Sequence, residues 1–146
     1  MPSPHRTREI AKYESRHTTI KAITADTTLT DADSGKLIVA DITGGDVTIT
    51  LPSAIVGQTF RVMVWKSDSG NDDLILVTAA TTSLFKGGVV HSDSNADNVS
   101  VQADFSNDDT VTLVDAEVGT DVQLVSDGTH WYISGVSMSD TVPTIA

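Results

Sequence analysis

Residues 46–52 alternate between apolar and polar side chains with a period of two. Val47, Ile49 and Leu51 fall on one face of this segment, and the threonines between them fall on the other. Pro52 ends the run because proline cannot donate to a β-ladder. Similar short runs recur along the chain between polar turns, and no stretch has the pattern of a helix. The alternation therefore predicts an all-β fold.

The runs are spaced about ten residues apart, which is typical of a sandwich or barrel. We predict a single β-sandwich or jelly-roll-like barrel of about 9-10 short antiparallel strands with an extended N-terminal arm. The polar segment 67–73 predicts a hairpin between strands at 58–66 and 74–78. Asp127-Gly128 predicts a second hairpin that joins the last two strands.

Aromatic residues are few, and two strands carry them on opposite faces. Phe60 and Val62 lie on one face of their strand, and Trp65 lies on the other. Trp131 and Tyr132 are adjacent, so one should enter the core while the other faces outward. An exposed aromatic ring could stack on a sugar or contact a protein. Covering an open end of the core is the interpretation that we favour.

The chain is predicted to form one domain with two extensions. A basic arm covers residues 1–18, the β-sandwich covers 19–136, and an extended Ser/Thr-rich tail covers 137–146. The first residues lack the apolar core of a signal peptide, and no apolar run is long enough to span a bilayer. We therefore expect neither secretion nor membrane association.

Charge is divided unevenly along the chain. Residues 1–21 carry five basic and two acidic side chains, a net charge of +3, while the other 125 carry four basic and eighteen acidic side chains, a net charge of −14. The strongly acidic part of the chain repels nucleic acid, because each contact with a phosphate needs a positively charged side chain. It also keeps copies of the protein apart and soluble. Nucleic acid is therefore excluded as a partner.

The sequence contains only weak matches to motifs of catalytic sites. Residues 135–139 begin like a nucleophile elbow, but they lack its closing glycine and the helix that should follow. His91 stands near Asp93, but such residues are ordinary in loops and do not establish a catalytic triad. The chain has no cysteine. We expect no enzymatic activity, no cofactor and no small-molecule substrate.

Two acidic turns, at 31–35 and 68–73, carry the oxygen ligands that calcium prefers. Neither has the spacing of an EF-hand, because the twelfth residue counted from Asp31 is Ile42 rather than glutamate. Asp and Asn are also ordinary turn formers, and this is the favoured interpretation. Calcium bridging between loops or subunits stays open as the alternative.

The order of segments resembles small β modules of tailed-phage structural proteins, which serve as capsid decoration proteins and as tail fibre or spike domains. The resemblance spans residues 40–135. It is carried by VTITLP at 47–52, Gly57, FRV at 60–62, Lys66, LILV at 74–77, FKGG at 85–88 and the closing segment 122–133.

The cationic arm on an acidic body favours capsid decoration (cement) proteins within this group. Resemblance to them implies a homotrimer on the outer capsid surface of the virion, assembled in the host cytoplasm. The protein would stabilise the shell by bridging subunits of the major capsid protein with its termini. The arm residues that we expect to contact this partner are Arg6, Arg8, Ile10, Lys12, Tyr13 and Arg16.

The alternative is a tail fibre or spike-associated adhesion module that binds a glycan or protein of the host surface. The sequence lacks the coiled or triple-stranded shaft of a long fibre, and only 5% of its residues are aromatic. Both features favour the shell over the tail.

Overall fold

The computed structural model describes residues 18–68, 71–95, 98–104 and 106–146. Within these ranges two sheets, of seven and five strands, confirm the predicted all-β sandwich. The strands are β1 (Ile20–Ile23), β2 (Thr27–Thr28), β3 (Leu37–Asp41), β4 (Val47–Thr50), β5 (Thr59–Lys66), β6 (Leu74–Val77), β7 (Phe85–Ser92), β8 (Ser100–Gln102), β9 (Thr110–Leu113), β10 (Asp121–Ser126), β11 (Trp131–Met138) and β12 (Thr144–Ile145). A 3₁₀ turn at Asp31–Asp33 precedes β3.

The strand order is β1-β3-β5-β10-β11-β7-β8 in one sheet and β12-β9-β6-β4-β2 in the other. The prediction of antiparallel strands holds for only five of the ten pairings between described strands. The pairs β1–β3, β3–β5, β2–β4, β4–β6 and β7–β11 are parallel. The described strands also number twelve rather than nine or ten. The four parallel pairs among β1 to β6 arise because these strands alternate between the sheets, so each return to a sheet runs in the same direction.

One predicted hairpin is wrong and the other is confirmed. Strands β5 and β6 belong to different sheets, so they do not form the predicted hairpin. Strands β10 and β11 pair antiparallel, with Ser126 opposite Trp131. Gly128 in their turn has a φ of 95°, a conformation that glycine adopts without strain.

The inward faces of both sheets form one core. Val47 and Ile49 are buried as the alternation predicted, and so are the inward residues of β5. Trp131 is fully buried, with its ring centroid 5.6 Å from that of Phe60. Tyr132 is 44% exposed. The prediction that these adjacent aromatics face opposite sides is therefore confirmed.

The C-terminal residues are part of the sandwich. Strand β11 continues to Met138, and β12 pairs antiparallel with β9 at the edge of the five-stranded sheet. Ile145 packs against the core, and the backbone of Ala146 exchanges hydrogen bonds with that of Thr110 at 2.8 and 2.9 Å.

The topology places the connecting loops at two ends of the sandwich. The acidic end contains the described residues of loops 24–26, 42–46, 67–73, 93–99, 114–120 and 139–143. The arm end contains those of loops 29–36, 51–58, 78–84, 103–109 and 127–130, together with Thr18, where the described chain begins. The basic N-terminal segment is thus attached at the arm end.

Candidate interaction surface

The residues predicted to contact a partner lie outside the described residues. Arg6, Arg8, Ile10, Lys12, Tyr13 and Arg16 all precede Thr18. What the structure does establish is the place where the segment that carries them joins the sandwich. Thr18 lines a shallow cavity of about 280 Å³ on the outside of the seven-stranded sheet, together with Leu37, Arg61 and Val125.

The acidic end concentrates negative charge. Its loops contain no Lys, Arg or His in the sequence. Their described residues include nine acidic side chains, namely Asp26, Asp46, Asp68, Asp72, Asp73, Asp93, Asp115, Glu117 and Asp140. The topology thus gathers on one surface acidic groups that are far apart in sequence.

Hydrogen bonds join the acidic loops to one another. The Asp46 carboxylate accepts the Asp73 N–H at 2.8 Å, and the Asp73 carboxylate accepts the Asp115 N–H at 2.9 Å. The Asp115 carboxylate in turn accepts the Thr141 hydroxyl at 2.6 Å. These carboxylates therefore stabilise the loops of their own chain, as turn-forming aspartates do.

Asp72 shows how crowded the negative charge is. A hydrogen bond with Asp68 raises the pKa of Asp72, and partial burial and the charges of Asp68, Asp46 and Asp73 raise it further. Like charges at close range disfavour ionisation of each other. The acidic end is therefore a surface on which further negative charge is disfavoured.

Most Lys and Arg side chains in the described ranges form ion pairs with aspartates. Four of the five Lys and Arg residues in the described ranges form ion pairs. Lys21 and Lys36 each lie 2.8 Å from Asp33, and the Lys66 ammonium lies 3.0 Å from Asp41. Little positive charge is left to attract an anionic partner.

The carboxylates of the turn at 31–35 accept hydrogen bonds from other residues of the same chain. Both oxygens of Asp33 accept hydrogen bonds from lysines, and one also accepts the Thr30 N–H at 3.0 Å. Asp31 accepts a hydrogen bond from the Gln58 amide. Within the described residues, no group of three or more His, Asp or Glu side chains is placed to hold a metal ion.

His91 and Ser137 come together although the sequence pattern did not pair them. They are register partners on β7 and β11, and both are buried. The His91 Nε2 lies 2.9 Å from the Ser139 carbonyl oxygen, whereas the His91 Nδ1 and the Ser137 Oγ have no hydrogen-bond partner. Because both side chains lie inside the sandwich, this pair does not present a nucleophile to a substrate.

Four exposed apolar side chains at the arm end form what we call the apolar patch: Ile55, Val56, Val125 and Tyr132. Val125 and Tyr132 are register partners on the outer face of the sheet. Val56 packs over Gly128, where an added Cβ would lie 2.7 Å from the Val56 Cγ2. The loop of Ile55 and Val56 therefore adjoins the hairpin that follows Val125.

Gln58 holds the loop that carries half of this patch. Its side-chain oxygen accepts the Ile55 N–H at 2.9 Å, and its own N–H donates to the Ile55 carbonyl at 3.2 Å. The Gly57 N–H donates to the Ser126 carbonyl at 3.0 Å, which fixes the loop to β10. No motif in the sequence predicted a role for this loop, although it lies in an uncharged run, residues 47–60, that is unusually long for so acidic a chain.

Trp65 is 47% exposed at the acidic-end terminus of β5, so it does not cover the core. The Lys66 ammonium lies 5.4 Å from the centroid of its ring. This distance is within the range of a cation–π contact. The ring is thus an accessible aromatic surface apart from the apolar patch.

No known protein-family model matches this chain, and no curated protein matches it. The described part of the chain contains no helix long and apolar enough to cross a membrane.

Proposed function

We propose that this chain is a capsid decoration protein of a tailed phage, which binds the outer surface of the shell and bridges subunits of the major capsid protein. The observation that carries this proposal is the separation of charge along the molecule. The basic segment is attached at the arm end, and nine acidic side chains lie at the opposite end.

The distance between the two ends keeps these charges largely independent. A strand of eight residues such as β5 spans about 26 Å, at about 3.3 Å for each residue. Charges in water are screened over about 8 Å at physiological ionic strength. Where it leaves the sandwich, the arm is therefore little affected by the nine carboxylates of the acidic end. The arm end itself carries fewer acidic side chains, namely Asp31, Asp33, Asp104, Asp108, Asp109 and Asp127, so we expect the arm to keep positive charge with which to bind an acidic surface of another protein.

An arm of this kind can link subunits without a deep binding site. An extended segment can add a strand to the exposed sheet edge of a neighbour, where main-chain hydrogen bonds supply the affinity. Contacts of modest strength add up when they are repeated within a homotrimer and across a lattice. Neither a catalytic site nor a cofactor is needed for such a role.

The test uses purified phage shells that lack the protein. Added protein should bind them and raise their resistance to heat, and deletion of residues 1–17 should abolish binding. This deletion keeps the Thr19 carbonyl, which accepts the Leu37 N–H at 2.9 Å and so belongs to the sheet. The triple variant Arg6→Gln, Arg8→Gln, Arg16→Gln tests charge at constant length. If the truncated protein decorates shells as well as the full chain, the arm is not the binding element.

The exposed ring of Trp65 supports a second candidate, an adhesion module of the phage tail that binds a host glycan or protein. Such a module should bind host cells, and Trp65→Ala should reduce that binding. Copy number in the virion separates the two candidates. Hundreds of copies are expected of a shell protein, and a few to dozens of a tail protein.

A further inference from the structure

We infer that β8, at one edge of the seven-stranded sheet, pairs with β8 of a second copy across a two-fold axis, so that the two sheets join into one. This inference goes beyond the proposed function, because it names a contact between copies and applies to a shell protein and to a tail protein alike. The contact joins two free copies, or two copies that belong to neighbouring homotrimers.

The main chain of β8 leaves a row of hydrogen-bonding groups without partners. Main-chain hydrogen bonds of 2.7 and 3.0 Å join Val99 and Ala103 to β7. Because the N–H and C=O groups of successive strand residues point to opposite sides, those of Ser100 and Gln102 point away from β7. Strand β8 is the last of its sheet, and no described residue hydrogen-bonds to these four groups. They are therefore free to pair with another strand.

The other described edge strands carry features that discourage pairing. In β1, Lys21 points inward, since its register partner Ile38 is fully buried, and it forms an ion pair with Asp33. Inward charges and very short strands both protect a sheet edge. Strands β2 and β12 have two residues each, and Pro143 precedes β12. Segment 98–103 contains neither a charged residue nor a proline, so β8 is the described edge that is most open to a further strand.

A second copy of β8 fits this edge when Ser100 lies opposite Gln102 of the second copy. All the free main-chain groups of both strands then form hydrogen bonds in an antiparallel ladder. Val101 lies opposite its own counterpart, and Asn98 lies opposite Asp104, so no two like charges face each other. A two-fold contact needs a patch that is complementary to itself, and β8 meets this condition. This self-complementarity identifies a second copy as the occupant.

The pairing also covers apolar side chains that a single copy leaves open. Val101 is the register partner of the buried Val89, so the odd-numbered residues of this segment face the core side. Val99 is nevertheless 42% exposed, and Val101 is half-buried. On this side, the second copy places Val101 against Val101 and Val99 against Ala103, and such cross-strand pairs stabilise a sheet. Burial of these side chains therefore adds to the main-chain hydrogen bonds.

Negative charge weakens this contact without preventing it. The net charge of −11 makes copies of the chain repel one another. Asp104 is the charged residue nearest to β8 in the sequence. Because it lies opposite Asn98, the two copies of Asp104 are separated by six strand positions, about 20 Å. Charges in water are screened over about 8 Å at physiological ionic strength, so added salt should strengthen the association.

The chain has no cysteine, so one introduced thiol reports the register of the pair. The two Val101 Cα atoms should be about 4.5 Å apart, as in other pairs of this type, which suits a disulfide. The two Val99 Cα atoms should be four strand positions apart, about 13 Å, which is too far for a disulfide. On mild oxidation, most of the Val101→Cys protein should become a disulfide-linked dimer. The Val99→Cys protein should stay unlinked, although Val99 is the more exposed residue.

A second measurement follows association without a covalent link. Ser100→Pro removes an N–H that the pairing needs, while the hydrogen bonds to β7 stay in place. In sedimentation velocity, the mass of the wild type should rise with protein concentration and with salt. Ser100→Pro should lose this rise. Ser100→Ala keeps the N–H and should behave like the wild type.

Equal cross-linking of Val101→Cys and Val99→Cys overturns the inference, and so does the absence of cross-linking in both. A folded Ser100→Pro variant that associates like the wild type also overturns it. If this variant does not fold, the two cysteine variants decide. None of these measurements uses shells, so a failure to bind shells contradicts the proposed function alone.

Discussion

The Lys21 ammonium lies 2.8 Å from the Asp33 carboxylate and joins β1, at the edge of the seven-stranded sheet, to the 3₁₀ turn at the arm end. Burial raises the pKa of Asp33, but hydrogen bonds from Lys21, Lys36 and the Thr30 N–H lower it more. The net pKa lies well below the ordinary value of an aspartate. This buried carboxylate therefore stabilises the fold in its ionised form.

Replacing Asp33 by Asn should destabilise the protein by about 1–3 kcal/mol near neutral pH, because two lysines lose their anionic partner. The folded-state pKa is depressed, so the stabilisation is present above the unfolded pKa of about 3.9 and is lost as the pH falls towards the folded pKa. The difference between wild type and variant should therefore shrink below about pH 4. Urea unfolding across this pH range measures it.

The control for Asp33 is Asp140→Asn, at an exposed position in a loop at the opposite end of the sandwich. Its effect on the free energy of unfolding should be within about 0.5 kcal/mol. Equal effects of the two variants at neutral pH would contradict the role assigned to Asp33.

Replacing Asp72 by Asn should have the opposite effect on stability to replacing Asp33. Its pKa is raised in the fold, so its ionised form is disfavoured and stability falls as the pH rises through the folded pKa. We expect Asp72→Asn to raise the melting temperature at neutral pH, because the amide can donate to Asp68 and carries no charge. Added salt should reduce the gain by screening the repulsion. A melting temperature that is lower than that of the wild type would contradict crowding at this end.

The two tryptophans should differ sharply on truncation. Trp131→Ala removes a fully buried ring that packs on Phe60, and should cost about 3–5 kcal/mol in the free energy of unfolding. Trp65→Ala removes a half-exposed ring, and should cost less than about 1 kcal/mol. Chemical denaturation of both variants checks this pair, and similar losses would be inconsistent with their placement.

Gly135 should not tolerate a side chain. Its φ is 145°, and a Cβ there would lie 2.2 Å from the Asp121 carbonyl oxygen. Gly135→Ala should therefore destabilise the fold by about 2–4 kcal/mol. Gly44→Ala is the control, because nothing lies within 4 Å of its added Cβ. If Gly135→Ala and Gly44→Ala have equal melting temperatures, β10 and β11 can move apart at Gly135 to make room for the side chain, and the prediction is wrong.

Much of the strand pattern could be predicted from single segments. The buried face of β4 and the opposite orientations of Trp131 and Tyr132 follow from the period of two, which is a local property of extended backbone. The hairpin at Asp127-Gly128 was also predictable, because its turn residues determine a local geometry. The 67–73 loop was not, since a polar loop looks the same whether it turns within a sheet or crosses to the other one.

By itself, the sequence determined the β class, the inward faces of the strands, and the contrast between a basic N-terminal segment and an acidic remainder. Only the tertiary structure decided which loops share an end. It brought Asp46, Asp73 and Asp115 together at one end, and it placed Ile55 and Val56 beside the attachment of the arm at the other. The physical reason is that side-chain alternation is a local property, set by each residue and its neighbours. Which loops lie at the same end of the sandwich is set instead by the pairing of strands that are far apart in sequence.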